Sequence, residues 1–113
     1  MDIKEVLPVA KLADLPPGGL LSVAFDGVQV LLAHVEGEIH AVRDECSHEA
    51  AKLSDGELMG DTVECPWHFS RFCLRTGAAL DFPAVDPVDT YEVRVEDGQI
   101  FLSVPGAAGD TAR

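Results

Sequence analysis

The sequence predicts an all-β chain: an antiparallel sandwich or barrel with a loop-rich subdomain inserted into it. Three observations carry this. Short runs alternate apolar and polar residues, Gly-containing turn signals separate the runs, and all three cysteines fall in one central stretch. Period-two alternation gives a strand one apolar face, and several such runs between turns make a sheet that must pack on itself.

Taken in order, Leu15-Pro16-Pro17-Gly18-Gly19 is a turn that no helix crosses. Leu21, Val23 and Phe25 then alternate with Ser22, Ala24 and Asp26, a half-buried strand. Turn signals follow at Asp26-Gly27, Gly37, Asp55-Gly56, Gly60-Asp61 and Asp97-Gly98. Asp-Gly between alternating runs signals a hairpin, because a type I′ turn needs positive φ. Tyr91, Val93 and Val95 alternate with Thr90, Glu92, Arg94 and Glu96, a second half-buried strand. No window supports a long amphipathic helix. Residues 1–43 thus read as strands with tight turns, 44–83 as the loop-rich part, and 84–104 as strands again. The expected organisation is a single domain over 1–104, with a loop-rich subdomain at about 44–83 that holds the cysteines and a flexible tail at 105–113.

Composition sets the functional limits. The chain has 113 residues, 47% of them hydrophobic and 25% charged, enough for a core without disulfides. Its net charge of −12 argues against binding nucleic acid or an anionic membrane surface. It suits contact with basic patches on partner proteins, or plain solubility. Met1-Asp2-Ile3-Lys4-Glu5 lacks the character of a signal peptide, and Val28 to Val35 is too short an apolar run to span a bilayer. The expected location is the cytoplasm, where thiols stay reduced and Cys–His clusters serve metal or catalysis.

Cys46-Ser-His48 and Cys65-Pro-Trp-His68, separated by residues 49–64, form such a cluster. Each segment offers one thiolate and one imidazole, and Pro66 helps bend the second. Four convergent ligands, two sulfur and two nitrogen, suit zinc or a two-iron cluster. Structural zinc usually takes like ligands from each loop. One Cys and one His per loop favours a [2Fe–2S] cluster with two cysteines on one iron and two histidines on the other, with zinc left as the alternative.

The same residues resemble the Rieske motif. Cys65-Pro-Trp-His68-Phe-Ser-Arg-Phe with Leu74-Arg75-Thr76-Gly77 is similar to the small Rieske-type [2Fe–2S] ferredoxins of bacterial aromatic-ring-hydroxylating dioxygenase systems. Asp14 to Gly18, Gly37 to Arg43, Phe82-Pro83-Ala84 and Tyr91 to Leu102 extend the likeness over nearly the whole chain. The resemblance implies a Rieske-type antiparallel β fold and one [2Fe–2S] cluster. Cys46 and Cys65 would hold the inner iron, and His48 and His68 the outer iron. It further implies a monomeric one-electron carrier, not an enzyme in its own right. A flavin-containing, nicotinamide-dependent reductase would supply the electron and a terminal oxygenase would receive it.

Other assignments fit less well. Respiratory Rieske proteins resemble a membrane-tethered branch with a disulfide between the cluster loops, and Ala51 and Trp67 occupy those positions here. A ring-hydroxylating oxygenase subunit needs a second, iron-binding domain. A cysteine hydrolase leaves one Cys–His pair without a role. The small subunit of assimilatory nitrite reductase remains an alternative partner assignment. Cys73 reads as a small buried residue, and His34 and His40 as ordinary strand residues. Trp67 is open between core, cluster shield and docking contact. Phe69 departs from relatives, which commonly carry Gly there. Ser70 and Phe72 stand where high-potential relatives place a Ser and a Tyr that donate to the cluster. Without the Tyr hydroxyl, a potential near the low end of the Rieske range, roughly −150 mV, is expected.

Overall fold

The computed structural model describes residues 8–25, 27–46, 51–67, 69–81, 84 and 86–103. Nine strands appear among them: β1 (Ala10–Lys11), β2 (Leu20–Phe25), β3 (Val28–Val35), β4 (Glu38–Arg43), β5 (Glu57–Met59), β6 (Thr62–Glu64), β7 (Arg71–Cys73), β8 (Thr90–Glu96) and β9 (Gln99–Ser103). Six of them form an antiparallel sheet in the order β1-β9-β8-β4-β3-β2, curled into a nearly closed barrel. The other three form a small sheet, β5-β6-β7. The helices among the described residues are two three-residue 3₁₀ turns, Leu12–Asp14 and Leu53–Asp55.

Tight turns set the register. Val35 pairs with Glu38 across Glu36-Gly37, whose φ values are +50° and +85°. Glu96 pairs with Gln99 across Asp97-Gly98, at +51° and +75°. Two successive left-handed residues make the type I′ geometry that matches strand twist. Asp55-Gly56 departs from the expected hairpin. It ends the 3₁₀ turn instead, with the Gly56 amide donating to the Leu53 carbonyl at 2.9 Å. The same residue types end a helical turn and close a hairpin, so local chemistry does not separate the two.

β3 and β4 bury both faces. Val30, Leu32 and Ala41 point into the barrel with Leu15, Ile100 and Leu102. Leu21, Val23, Phe25, Tyr91 and Val93 pack around that core, as their alternation requires. Leu31, Ala33, Val35 and Val42 face the other way. They join a second core with Cys46, Ala51, Leu53, Val63, Cys65, Phe72, Leu74, Ala84 and Val88. The unbroken apolar run of Val28 to Val35 is therefore a strand sandwiched between two cores. Val95 falls outside this scheme and is exposed near the end of β8.

The segment expected to be loop-rich contains the small sheet as well as loops. Its strands have three residues each, too short for alternation to register. It is tied to the barrel by Arg75, which donates to Glu38 on β4 at 3.0 Å and to Asp61 at 3.3 Å. Gly77 ties it a second time. Its amide donates to Cys73 O at 2.7 Å, and its carbonyl accepts the Val88 amide at 2.8 Å. The expected tail, 105–113, lies outside the described residues.

Gly77 has φ +79°, and a Cβ there would overlap the Val88 carbonyl oxygen, whereas Gly98 at φ +75° faces open space. Gly98→Ala should therefore cost only the left-handed penalty, about 1–2 kcal/mol. Gly77→Ala should cost clearly more, because the backbone at Val88 must also shift. Chemical denaturation of the two variants measures the difference; equal costs would contradict the close approach at Gly77.

Candidate metal centre

Two loops carry the cysteines, and they close in the same way. Cys46 follows β4, and its amide donates to the Ala51 carbonyl at 2.9 Å. Cys65 follows β6, and its amide donates to the Ser70 carbonyl at 2.8 Å. In each loop a cysteine at the base is bonded to the carbonyl five residues on. The candidate histidines, His48 and His68, fall inside these two closures in sequence. Their own placement lies outside the described residues. Pro66 and Trp67 form a turn, and the Phe69 amide reaches back to the Cys65 carbonyl at 2.9 Å.

Cys46 is 3% exposed and Cys65 0%, and both belong to the second core. Ala51, Leu53, Val63, Phe72, Leu74 and Ala84 share that apolar setting. Two loops thus bring two thiols into one water-poor cluster, with an imidazole-bearing residue in each loop. That donor set suits a two-iron cluster, whose potential and access to solvent such an apolar shell controls. No three His, Cys, Asp or Glu side chains among the described residues converge on a point. The cysteine pair is the half of the set that the structure describes.

The surroundings explain several residues left open by the sequence. Trp67 is 66% exposed and Phe69 63%, so neither is core. Phe69 has φ +64°, a left-handed conformation that disfavours a bulky side chain and that glycine adopts at no steric cost. Ser70 is fully buried, and its hydroxyl accepts the Ala84 amide at 3.3 Å, joining the second loop to the segment after it. Of the Phe82-Pro83-Ala84 segment, Phe82 and Pro83 lie outside the described residues, whereas Ala84 is buried in the cysteine core.

The remaining candidates stand apart. Cys73 sits at the end of β7 away from the Cys65 loop and pairs with Thr62. A hydrogen bond from the Thr76 hydroxyl, backed by the Thr76 and Arg75 amides, pulls its thiol below the ordinary range. His34 lies on β3 with Nδ1 2.8 Å from the Leu15 carbonyl oxygen. His40 lies on β4 with Nε2 3.3 Å from Glu38 Oε1. Sequence reasoning missed one ion pair beside the second loop. Arg71 donates through Nε to Asp81 Oδ2 at 2.7 Å and through Nη2 to Oδ1 at 3.3 Å. Its amide also donates to Oδ2 at 3.1 Å. This fork joins the residue after Ser70 to the approach to Ala84. No local pattern signals a pair ten residues apart across a turn.

A family model described as the Rieske [2Fe-2S] domain matches residues 5–92. The ferredoxin subunit of 3-phenylpropionate/cinnamic acid dioxygenase from Escherichia coli (strain K12) is 49% identical over 96 residues, which cover 84% of this chain and 90% of that one. The ferredoxin of carbazole 1,9a-dioxygenase from Nocardioides aromaticivorans IC177 superposes with a TM-score of 0.82 at 34% identity, over 87% of this chain and 96% of that one. A chain in the complex of reduced oxygenase and oxidized ferredoxin of carbazole 1,9a-dioxygenase gives a TM-score of 0.80 at 33% identity, over 86% and 91%.

The fork with Arg71 holds the Asp81 carboxyl below its usual range, first through the hydrogen bonds and then through charge. A depressed pKa in the folded state adds stability above the unfolded carboxylate's pKa, and that stability is lost as pH falls through the folded value. Asp81→Asn should lower the melting temperature at neutral pH. Its deficit against the parent should shrink on acidification below the ordinary carboxylate range. Thermal unfolding followed across pH checks this; a deficit that stays constant into strong acid would rule out the charged fork as its source.

Proposed function

The chain belongs to the Rieske [2Fe–2S] domain family, and we propose that it is a soluble cytoplasmic one-electron carrier, accepting from a flavin-containing NAD(P)H reductase and delivering to a terminal oxygenase. The observation that carries the reading is the pair of matched loops that bury Cys46 and Cys65 in one core. In this reading Cys46 and Cys65 hold one iron, and His48 and His68 hold the other. When bound, the cluster supplies a one-electron couple.

The protein's own part is to hold and orient. Each loop starts from a sheet: the Cys46 loop leaves β4 of the barrel through Asp44 and Glu45, and the Cys65 loop follows β6 of the small sheet directly. The second core keeps water from the cysteine side. Phe72 is fully buried and carries no hydroxyl, so it adds no hydrogen bond that would stabilise a reduced, more negative centre. That supports a potential near the low end of the family range, roughly −150 mV. An electron carrier breaks no substrate bond, so this role needs no substrate pocket or catalytic group.

Support for the partners comes from the relatives. The relatives named above are ferredoxins of dioxygenase systems, and one is in complex with an oxygenase. The exposed rings of Trp67 and Phe69, in the same loop of the sequence as His68, form the tip we take as the contact surface. Reductase and oxygenase would use that tip alternately, through transient interfaces of less than roughly 1,200 Å². Among the described residues no helix is long and apolar enough to cross a membrane.

Cys46→Ala or Cys65→Ala should abolish the cluster, while Cys73→Ser should retain it. Iron and labile-sulfide analysis of anaerobically purified protein measures this, and voltammetry should place the midpoint well below +100 mV. Stoichiometric zinc without labile sulfide would overturn the reading. Phe69→Gly should relieve a left-handed residue and keep the cluster, yet change steady-state transfer with both partners. Loss of cluster before loss of transfer, or both partners binding at once, would refute the shared tip.

A further inference from the structure

Asp44 stands two residues before Cys46 and is only 4% exposed. A carboxylate is rarely buried unless it is paired or hydrogen bonded. Here its partners among the described residues are neutral donors. The Ser22 hydroxyl donates to Oδ2 at 2.7 Å, the Ser54 hydroxyl donates to Oδ2 at 2.7 Å, and the Ser54 amide donates to Oδ1 at 2.7 Å. The Gln29 side-chain amide donates to the Ser22 hydroxyl at 3.0 Å, which leaves that hydroxyl's own proton for the carboxylate. The Asp44 amide donates to the Gln29 carbonyl at 3.0 Å, extending the β3–β4 ladder by one step.

These partners have a specific arrangement along the chain. Asp44 precedes the loop closed between Cys46 and Ala51, and Ser54 lies in the 3₁₀ turn that follows it. One carboxylate therefore joins the incoming and outgoing stems of that loop. Ser22, on β2, fastens the junction to the barrel. Among the described residues the backbone bond across the neck is the one from Cys46 to Ala51. The carboxylate adds two bonds outside it, both charge-assisted and so about twice the strength of neutral ones.

We propose that Asp44 is a positioning residue for the metal centre, a clamp that holds the neck of the Cys46 loop closed whether or not metal is bound. Its bearing on the metal rests on the assignment of Cys46 as a ligand. A preformed neck lowers the ordering that metal binding must drive and slows the opening through which metal is lost.

The test compares the two hydroxyl donors to the same oxygen. Ser54→Ala removes a bond between the stems. Ser22→Ala removes the bond to the barrel and leaves the stems joined. In the full-length protein, Ser54→Ala should speed hydrogen exchange at the Cys46 amide about tenfold, the loss of one bond to a charged acceptor. It should speed release of the cluster to excess chelator by a similar factor. Ser22→Ala should change both by less than about threefold, even where the two variants melt at similar temperatures. Asp44→Asn keeps an acceptor for the Ser54 amide and should fall nearer the parent than Asp44→Ala. If Ser22→Ala and Ser54→Ala act equally on exchange, Asp44 is only a strut of the core and the proposal fails. If exchange follows the prediction but Cys46→Ala retains the cluster, the clamp stands and the ligand assignment falls.

Discussion

Burial of both faces of β3 and β4 is the constraint on which the rest depends. A strand in a small barrel usually shows one face to solvent. Here Leu31, Ala33, Val35 and Val42 would be an exposed apolar stripe if the inserted segment did not cover them. The barrel core and the cysteine core therefore share a wall. At about 25 cal/mol per Å² of apolar surface, covering such a stripe offsets much of the ordering of short strands that would not stand alone. The small sheet is held by its place on the wall more than by its own ladders.

The candidate metal centre inherits its geometry from that wall. Cys46 is reached directly from β4, and Cys65 from β6 on the covering sheet. The two loops meet because the two sheets pack. Their shared closure leaves the apolar side of each loop buried, while Trp67 and Phe69 remain in water. One side of the site is rigid and dry and the other is exposed. That division suits the proposed carrier role, in which a redox group is held firmly yet brought close to a partner.

Charge is arranged more simply. Arg43, Arg71, Arg75 and Arg94 each sit against a carboxylate, so much of the chain's small basic content is neutralised locally. Exposed pairs of this kind contribute little to stability, about 0–1 kcal/mol each. Their larger effect is on the outside field, which stays acidic at a net charge of −12. An acidic protein is steered toward basic surfaces, and the steering weakens with salt.

The sequence by itself determined the strand class, a turn at Gly37, the type I′ turn at Asp97-Gly98, and the paired Cys–His spacing. Each rests on local chemistry: alternation, positive φ, and ligand types close along the chain. It could not decide Asp55-Gly56, where hairpin and 3₁₀ turn use the same residues. It also could not find the three-residue strands, which are too short to show a period. Which acid is buried was hidden as well: Asp44 has the composition of a surface residue, and only the approach of Ser22 and Ser54 from distant segments makes its burial tolerable. Trp67 shows the converse, a large apolar residue that the packing leaves outside. Such decisions belong to tertiary structure because burial depends on what other segments bring to a residue, not on the residue's neighbours in the chain.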